Sequence, residues 1–310
     1  MSTLKIDNLG MRANGKWALW DVNLEIEAGE IVGVFGRSGS GKSTLAGLIA
    51  GLEEQSSGTI AWTDSDNKKP TPFACIALEK PALASELTVY ENIDLFAALW
   101  GVPRRKRAGR VASLIELLKL SDWRSTRAQH LSSGVRNRVE IARALVSDAP
   151  VTVIDSLLDT IDPDIMEKLW DHMLGLRRSE GKSFLILTSR GKIAEMCGRV
   201  AVIHRGRISF LGRPDDLRRL AGEDVVVLGD ITSPMIRARI EEQISVVIRE
   251  EEGFLSFRAT NGERVIGDLL SEFGTELGCV YLKRPTLEDA LDVIADGGSS
   301  IAADVREGTT

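Results

Sequence analysis

Through roughly the first two thirds of the chain, short apolar runs closed by turn residues alternate with stretches whose apolar residues recur every three or four positions. That alternation predicts strands and helices of an α/β domain. The runs at 30–35, 151–155 and 183–188 read as strands. Between them, 87–100 and 111–120 carry helical spacing, which places a helical subdomain at about 84–138 inside an α/β core. After 207–212 the order changes to strand (225–228), helix (234–243), strand (245–249), strand (254–259), helix (264–273), strand (279–282) and a final helix from Leu287. A β-α-β-β-α-β succession predicts a small ferredoxin-like α+β domain. The expected organisation is therefore a core domain over 1–220, an accessory domain over 221–297 and a flexible Gly/Ser/Asp-rich tail over 298–310.

A length of 310 residues suits one large domain with an appendage. With 43% hydrophobic and 27% charged residues the chain is globular rather than disordered or fibrous. No stretch approaches the ~18 consecutive apolar residues of a membrane span, and the first residues lack a signal-peptide pattern. A cytoplasmic location follows as the expectation. The net charge of −6 argues against nucleic acid as a partner, so contact with a membrane must come through another protein. Cys75, Cys197 and Cys279 are scattered singly, with no zinc, redox or disulfide spacing. His130, His172 and His204 are equally isolated. The basic run Arg104, Arg105, Lys106, Arg107 with Arg110 falls in the helical segment. A solvated helix face is its plainer account, and a patch toward anionic lipid or a membrane partner the sharper one.

Gly36-Arg37-Ser38-Gly39-Ser40-Gly41-Lys42-Ser43, continued by Thr44, fits GxxxxGK[ST] between a predicted strand and a predicted helix over 43–50. Its glycines let successive backbone N–H groups point at a β-phosphate, and the following helix adds its positive end. Lys42 is expected to reach the β- and γ-phosphates, and the Ser43 hydroxyl to coordinate Mg²⁺. A chance match in a chain of this composition is on the order of one in a hundred, before the flanking elements are required.

Leu131-Ser132-Ser133-Gly134-Val135, the helix 136–145 behind it and Val151-Thr152-Val153-Ile154-Asp155 complete a set that, with the phosphate loop, resembles the ATPase subunits of ABC transporters over about 4–212. The resemblance implies a P-loop NTPase core with a helical subdomain, ATP and Mg²⁺ as cofactors, and a separate transmembrane permease as partner. It implies that Asp155 serves the Mg²⁺, and that 81–83 and 87–93 face the permease. It further implies that Ser132, Ser133 and Gly134 are presented to ATP held by a second ATPase subunit, and that Asp162 belongs to the loop bridging the two subunits. The stretch 284–290 is similar to the tail of drug- and antibiotic-exporter ATPases of the daunorubicin type, which implies an exporter.

Three catalytic positions depart from that family's pattern, and in the signature Ser133 replaces the first Gly and Val135 the usual polar residue. The family places a Glu after the strand-end Asp, and here the position holds Ser156. A hydroxyl is a poor proton acceptor at neutral pH, and losing a general base lowers a rate by about 10²–10⁴-fold, or roughly 3–5 kcal/mol of barrier. The family's switch His falls on Ser189, and the Gln of its permease-coupling loop on Glu79, a further candidate ligand of Mg²⁺. The position aligned with the adenine-stacking aromatic is Ala13, while Trp17 and Trp20 stand close by and Trp17 could take the stack. Binding residues are kept while catalytic ones are replaced, so ATPase activity in the chain's own site is expected to be weak or absent. The expected assembly pairs this chain with a different, competent ATPase subunit. Two alternatives stand beside it: an active homodimer using Asp159 or Glu79 as an unconventional base, and a nucleotide-sensing regulatory module.

Overall fold

The computed structural model describes residues 2–13, 15–62, 74–80, 82–229, 239–240, 249–251, 254–274 and 277–296. They divide into two compact units, one ending at Pro214 and one spanning Asp215–Asp296.

The first unit opens with two long antiparallel strands, β1 (Ser2–Ala13) and β2 (Lys16–Glu27). Along β2, Val22, Leu24 and Ile26 turn inward while their neighbours stay wet, the alternation of a half-covered strand. β3 (Ile31–Phe35) is buried at every position, and the loop after it leads into α1 (Lys42–Ile49). β4 (Ser57–Trp62) joins the free side of β1. β5 (Ala74–Ala77) then precedes the helical segment of α2 (Val89–Leu99), α3 (Arg104–Leu117) and α4 (Ser133–Val146). The core resumes with β6 (Val151–Asp155), α5 (Pro163–Glu180), β7 (Ser183–Thr188), α6 (Gly191–Met196) and the hairpin β8 (Arg199–His204) and β9 (Arg207–Gly212).

The second sheet has the order β5-β6-β7-β3-β8-β9 and is parallel except at the β8–β9 hairpin. β6 and β7 are buried throughout, as parallel strands covered on both faces must be. Leu45, Ala46, Leu48 and Ile49 of α1 share one apolar cluster with Ile6 and Leu24 of the antiparallel sheet and Val34 and Leu187 of the parallel one. Each such side chain contributes about 1.5–3 kcal/mol by leaving water. Register then decides where chemistry can occur. Phe35 pairs with Thr188, and Leu187 with Asp155, so β3, β7 and β6 end level with one another. The crevice beyond the carboxyl ends of such strands is where α/β sheets hold ligands.

Two helices in this unit start away from the sequence expectation for identifiable reasons. α3 begins at Arg104, not 111, because its basic first turn carries no apolar periodicity. Arg104, Arg105 and Lys106 are exposed there, while Arg107 and Arg110 pair with Asp94 and Asp148. α2 starts at Val89, where Thr88 and Glu91 cap each other reciprocally. Buried Asn92 fixes the loop before it: its amide oxygen accepts from the Ala84 N–H at 2.9 Å, and its N–H groups are shared among the carbonyls of Ala84, Leu87 and Thr88 at 3.0–3.1 Å.

The second unit contains β10 (Asp224–Gly229), β11 (Arg249–Glu251), β12 (Phe254–Ala259), α8 (Gly262–Phe273), β13 (Cys279–Lys283) and α9 (Leu287–Asp296), preceded by α7 (Pro214–Leu220). Its antiparallel sheet, in the order β11-β12-β10-β13, is ferredoxin-like. Val226, Leu228, Leu255 and Phe257 pack with Leu269 and Phe273 of α8. The helix expected over 234–243 lies outside the described residues except for Arg239 and Ile240, as do 245–248 of the next strand and the tail 298–310.

Replacing Asn92 with Ala takes the acceptor from the Ala84 N–H and one of two donors from each of the Ala84, Leu87 and Thr88 carbonyls, which keep the N–H groups of Leu87, Ala128 and Asn92. A loss of about 1–3 kcal/mol in urea unfolding is expected. Asn92→Asp is expected to be nearly as damaging, because a carboxylate donates nothing to the three carbonyls.

Candidate nucleotide site

The loop between β3 and α1 is built so that backbone, not side chain, lines a cradle. At Gly36 a Cβ would lie 2.4 Å from the Ile203 carbonyl oxygen. At Gly41, φ is 112°, a conformation that favours glycine, and a Cβ would meet Leu19 at 2.7 Å. Lys42 is 6% exposed, and its ammonium donates to the carbonyls of Gly36 at 2.7 Å and Arg37 at 2.9 Å. Burial holds its pKa below the usual lysine value, while the carboxylates of Asp159, Asp155 and Glu79 push it back up. The buried Ser40 hydroxyl has no hydrogen-bond partner among the described residues. An open cradle, a poised ammonium and an orphaned hydroxyl fit a bound polyphosphate.

A cleft of about 560 Å³ opens over this loop. Ser38, Gly39, Gly41, Lys42, Ser43 and Thr44 form its floor. Trp17, Ala18, Arg205 and Gly206 line one part of its wall, and Glu79, Ser156, Asp159, Thr160 and Ser189 another. Of the expected site residues, Trp17 and Glu79 thus reach the cleft. Trp17 is 41% exposed, with the Arg12 guanidinium 4.4 Å over its ring. Ala13 does not line the cleft; it pairs with Lys16 at the end of the β1–β2 hairpin. Trp20 lies under Arg207 at 3.9 Å and is likewise off the cleft.

Asp155 ends β6 almost fully buried. Burial raises its pKa, against the hydroxyls of Ser43 and Ser156, which hydrogen-bond to it. The Ser43 hydroxyl and the Asp155 carboxylate therefore already stand together, a donor set that suits a divalent cation completed by phosphate and water. Among the described residues no group of three or more His, Cys, Asp or Glu side chains forms a metal cage of its own.

Asp159 was weighed from sequence only as a base, and its environment gives it other work. It accepts hydrogen bonds from the Thr188 hydroxyl, the Ser189 N–H at 2.9 Å and the Ser189 hydroxyl at 2.8 Å. It thereby ties the loop after β6 to the end of β7. Ser132, Ser133, Gly134 and Asp162 are exposed and lie away from the cleft, at the N-terminal ends of α4 and α5. Ala18, Thr160, Arg205 and Gly206 were missed from sequence. A two-residue Arg-Gly turn between alternating strands was the readable sign of the last pair.

A family model described as ABC transporter matches residues 19–158. The methionine import ATP-binding protein MetN of Ralstonia nicotianae is 33% identical over 251 residues, covering 76% of this chain and 71% of the relative. The chain belongs to the ABC transporter ATP-binding family. MetN of Clostridioides difficile is 30% identical over 227 residues, covering 68% of this chain and 71% of its own length. A solved ATP-binding subunit of an ABC transporter is 27% identical with a TM-score of 0.63, covering 70% of this chain and 92% of that one. A dimeric ATP-binding cassette in a post-hydrolysis state with ADP and Pi superposes at TM-score 0.60 and 23% identity, covering 68% of this chain and 98% of that one, and shows the fold alone. ABC ATP-binding subunits bind ATP and normally work with a transmembrane permease. No helix among the described residues of this one is long and apolar enough to cross a membrane. The matched relatives named above are import proteins, so the exporter expected from 284–290 finds no support among them.

In this ABC subunit, Lys42→Ala removes the ammonium from the cradle floor. ATP affinity measured by calorimetry is expected to fall at least about tenfold, as for loss of a charge-assisted hydrogen bond. The rise in Tm that ATP gives the unaltered protein is expected to shrink with it.

Proposed function

We propose that this chain is the ATP-holding, weakly hydrolytic member of an ABC transporter, paired with a different ATPase subunit and a separate permease. The carrying observation is the wall facing Lys42, where Ser156 occupies the position of a catalytic carboxylate and the nearby carboxylate, Asp159, is engaged by Thr188 and Ser189. A general base needs free lone pairs within reach of the attacking water. Ser189 has its hydroxyl proton committed to Asp159, so it presents no donor to a γ-phosphate.

The floor keeps what binding needs. Gly36, Ser38, Gly39, Ser40, Gly41, Lys42, Ser43 and Thr44 hold the phosphates, Ser43 and Asp155 hold Mg²⁺, and Trp17 offers a ring face to the base. Ser132, Ser133, Gly134 and Asp162 serve the partner subunit. Among the described residues a Cβ at Gly134 would meet nothing within 4 Å, so the backbone there is open to an approaching partner. The loop ordered by Asn92 and capped by Thr88 faces the permease, which keeps the subunit on the inner face of the membrane. For direction we favour import. A MetN of Cupriavidus necator aligns over 82% of this chain, farther than the first unit extends, and so the likeness reaches the second unit.

A second reading keeps an active homodimer with Glu79 as the base, because Glu79 is exposed on the cleft wall. Steady-state ATPase assays separate the two. On the first reading the double change Ser156→Glu, Ser189→His raises turnover by about 10²-fold or more, and Glu79→Gln changes little. A strong loss in Glu79→Gln with no gain in the double variant supports the second reading instead.

A further inference from the structure

The β8–β9 hairpin turns through Arg205 and Gly206, with His204 paired to Arg207 across it. Both turn residues have positive φ, 48° at Arg205 and 77° at Gly206, which is the two-residue turn that asparagine-glycine fills most readily. An arginine in left-handed backbone is conformationally disfavoured, and residues held so against their preference cluster at functional sites. The hairpin is also locked to the phosphate loop. The Gly206 N–H donates to the Ser40 carbonyl at 2.9 Å, and the Gly206 carbonyl accepts from the Trp20 N–H at 2.8 Å. A Cβ at Gly206 would lie 2.4 Å from the Ala18 carbonyl oxygen, so the turn sits hard against β2. Arg205 therefore lines the cleft at a fixed distance from the cradle, beside Trp17. Its charge and that of Arg37 both push the His204 imidazole down, after partial burial, so positive potential gathers on this side of the loop.

We infer that Arg205 is a nucleotide-binding residue, its guanidinium contacting the phosphate chain between the base held near Trp17 and the cradle of the phosphate loop. The inference rests on the reading of the cleft as an ATP site. A guanidinium suits phosphate oxygens through paired charge-assisted hydrogen bonds, and a hairpin fixed to the loop presents it without a search for position.

The test is Arg205→Asn in the full chain, with ATP, ADP and adenosine affinities measured by titration and Tm recorded without ligand. Asparagine fits the left-handed turn, so Tm is expected to hold or rise while ATP and ADP bind about five- to twentyfold more weakly and adenosine is unaffected. Arg205→Lys is expected to recover part of the loss, and its remaining advantage to fade with added salt. Unchanged ATP affinity in Arg205→Asn overturns the inference. So does an equal loss for adenosine, which puts the side chain on the base, or a lowered Tm with parallel losses for every ligand, which makes it structural. Failure of the unaltered chain to bind ATP at all contradicts the ATP-site reading instead.

Discussion

The level ending of β3, β7 and β6 is the constraint from which the rest of the site follows. Because Phe35 stands opposite Thr188 and Leu187 opposite Asp155, the phosphate loop, the Asp155–Ser156 pair and Ser189 all emerge at one rim of a sheet buried on both faces. Such a sheet cannot slide its strands without exposing whole apolar faces, so the rim is rigid. Side chains placed on it are positioned by the core. Register puts the phosphate loop and its accessory groups around one cleft, with α1 clamped between two sheets to point its N-terminus into that cleft.

Within that frame, charge underlies the proposed division between holding and cleaving. Lys42 is buried among carboxylates that favour its charged form, and Asp155 is kept beside the hydroxyls of Ser43 and Ser156. On the proposed reading these groups hold the nucleotide and its Mg²⁺. Asp159 could have been a catalytic device, but its two oxygens secure Thr188 and Ser189. With three donors on its two oxygens, its lone pairs are committed to the wall rather than to an attacking water. The same contact fixes the Ser189 backbone, so one cluster accounts both for a rigid wall and for the engagement of Asp159 within it.

What the sequence disclosed follows the range of the interactions involved. Strands 151–155 and 183–188 were legible because burial on both faces leaves an unbroken apolar run, and the phosphate loop because its function is contiguous. In the second unit the strands at 225–228, 254–259 and 279–282 and the helix at 264–273 were legible from their patterning. The start of α3 was not, since a basic first turn on a wet face has no period to read. Nor was the clamp on Ser189, whose partners stand 30 residues apart and meet only through strand register. Arg205 escaped for a similar reason: the turn could be read, but its bond to Ser40 could not. The aligned position Ala13 is off the cleft and the candidate Trp17 lines it, because hairpin pairing, not linear spacing, decides which of the two reaches it.

The central claim is that this ABC subunit keeps ATP without cleaving it, and single-turnover hydrolysis tests that most directly. Purified chain is mixed in excess over labelled ATP with Mg²⁺, quenched at intervals, and the bound nucleotide identified. The account predicts intact ATP on the protein for many minutes. Conversion to ADP at about 1 s⁻¹ or faster, inside the ordinary enzyme range, contradicts it.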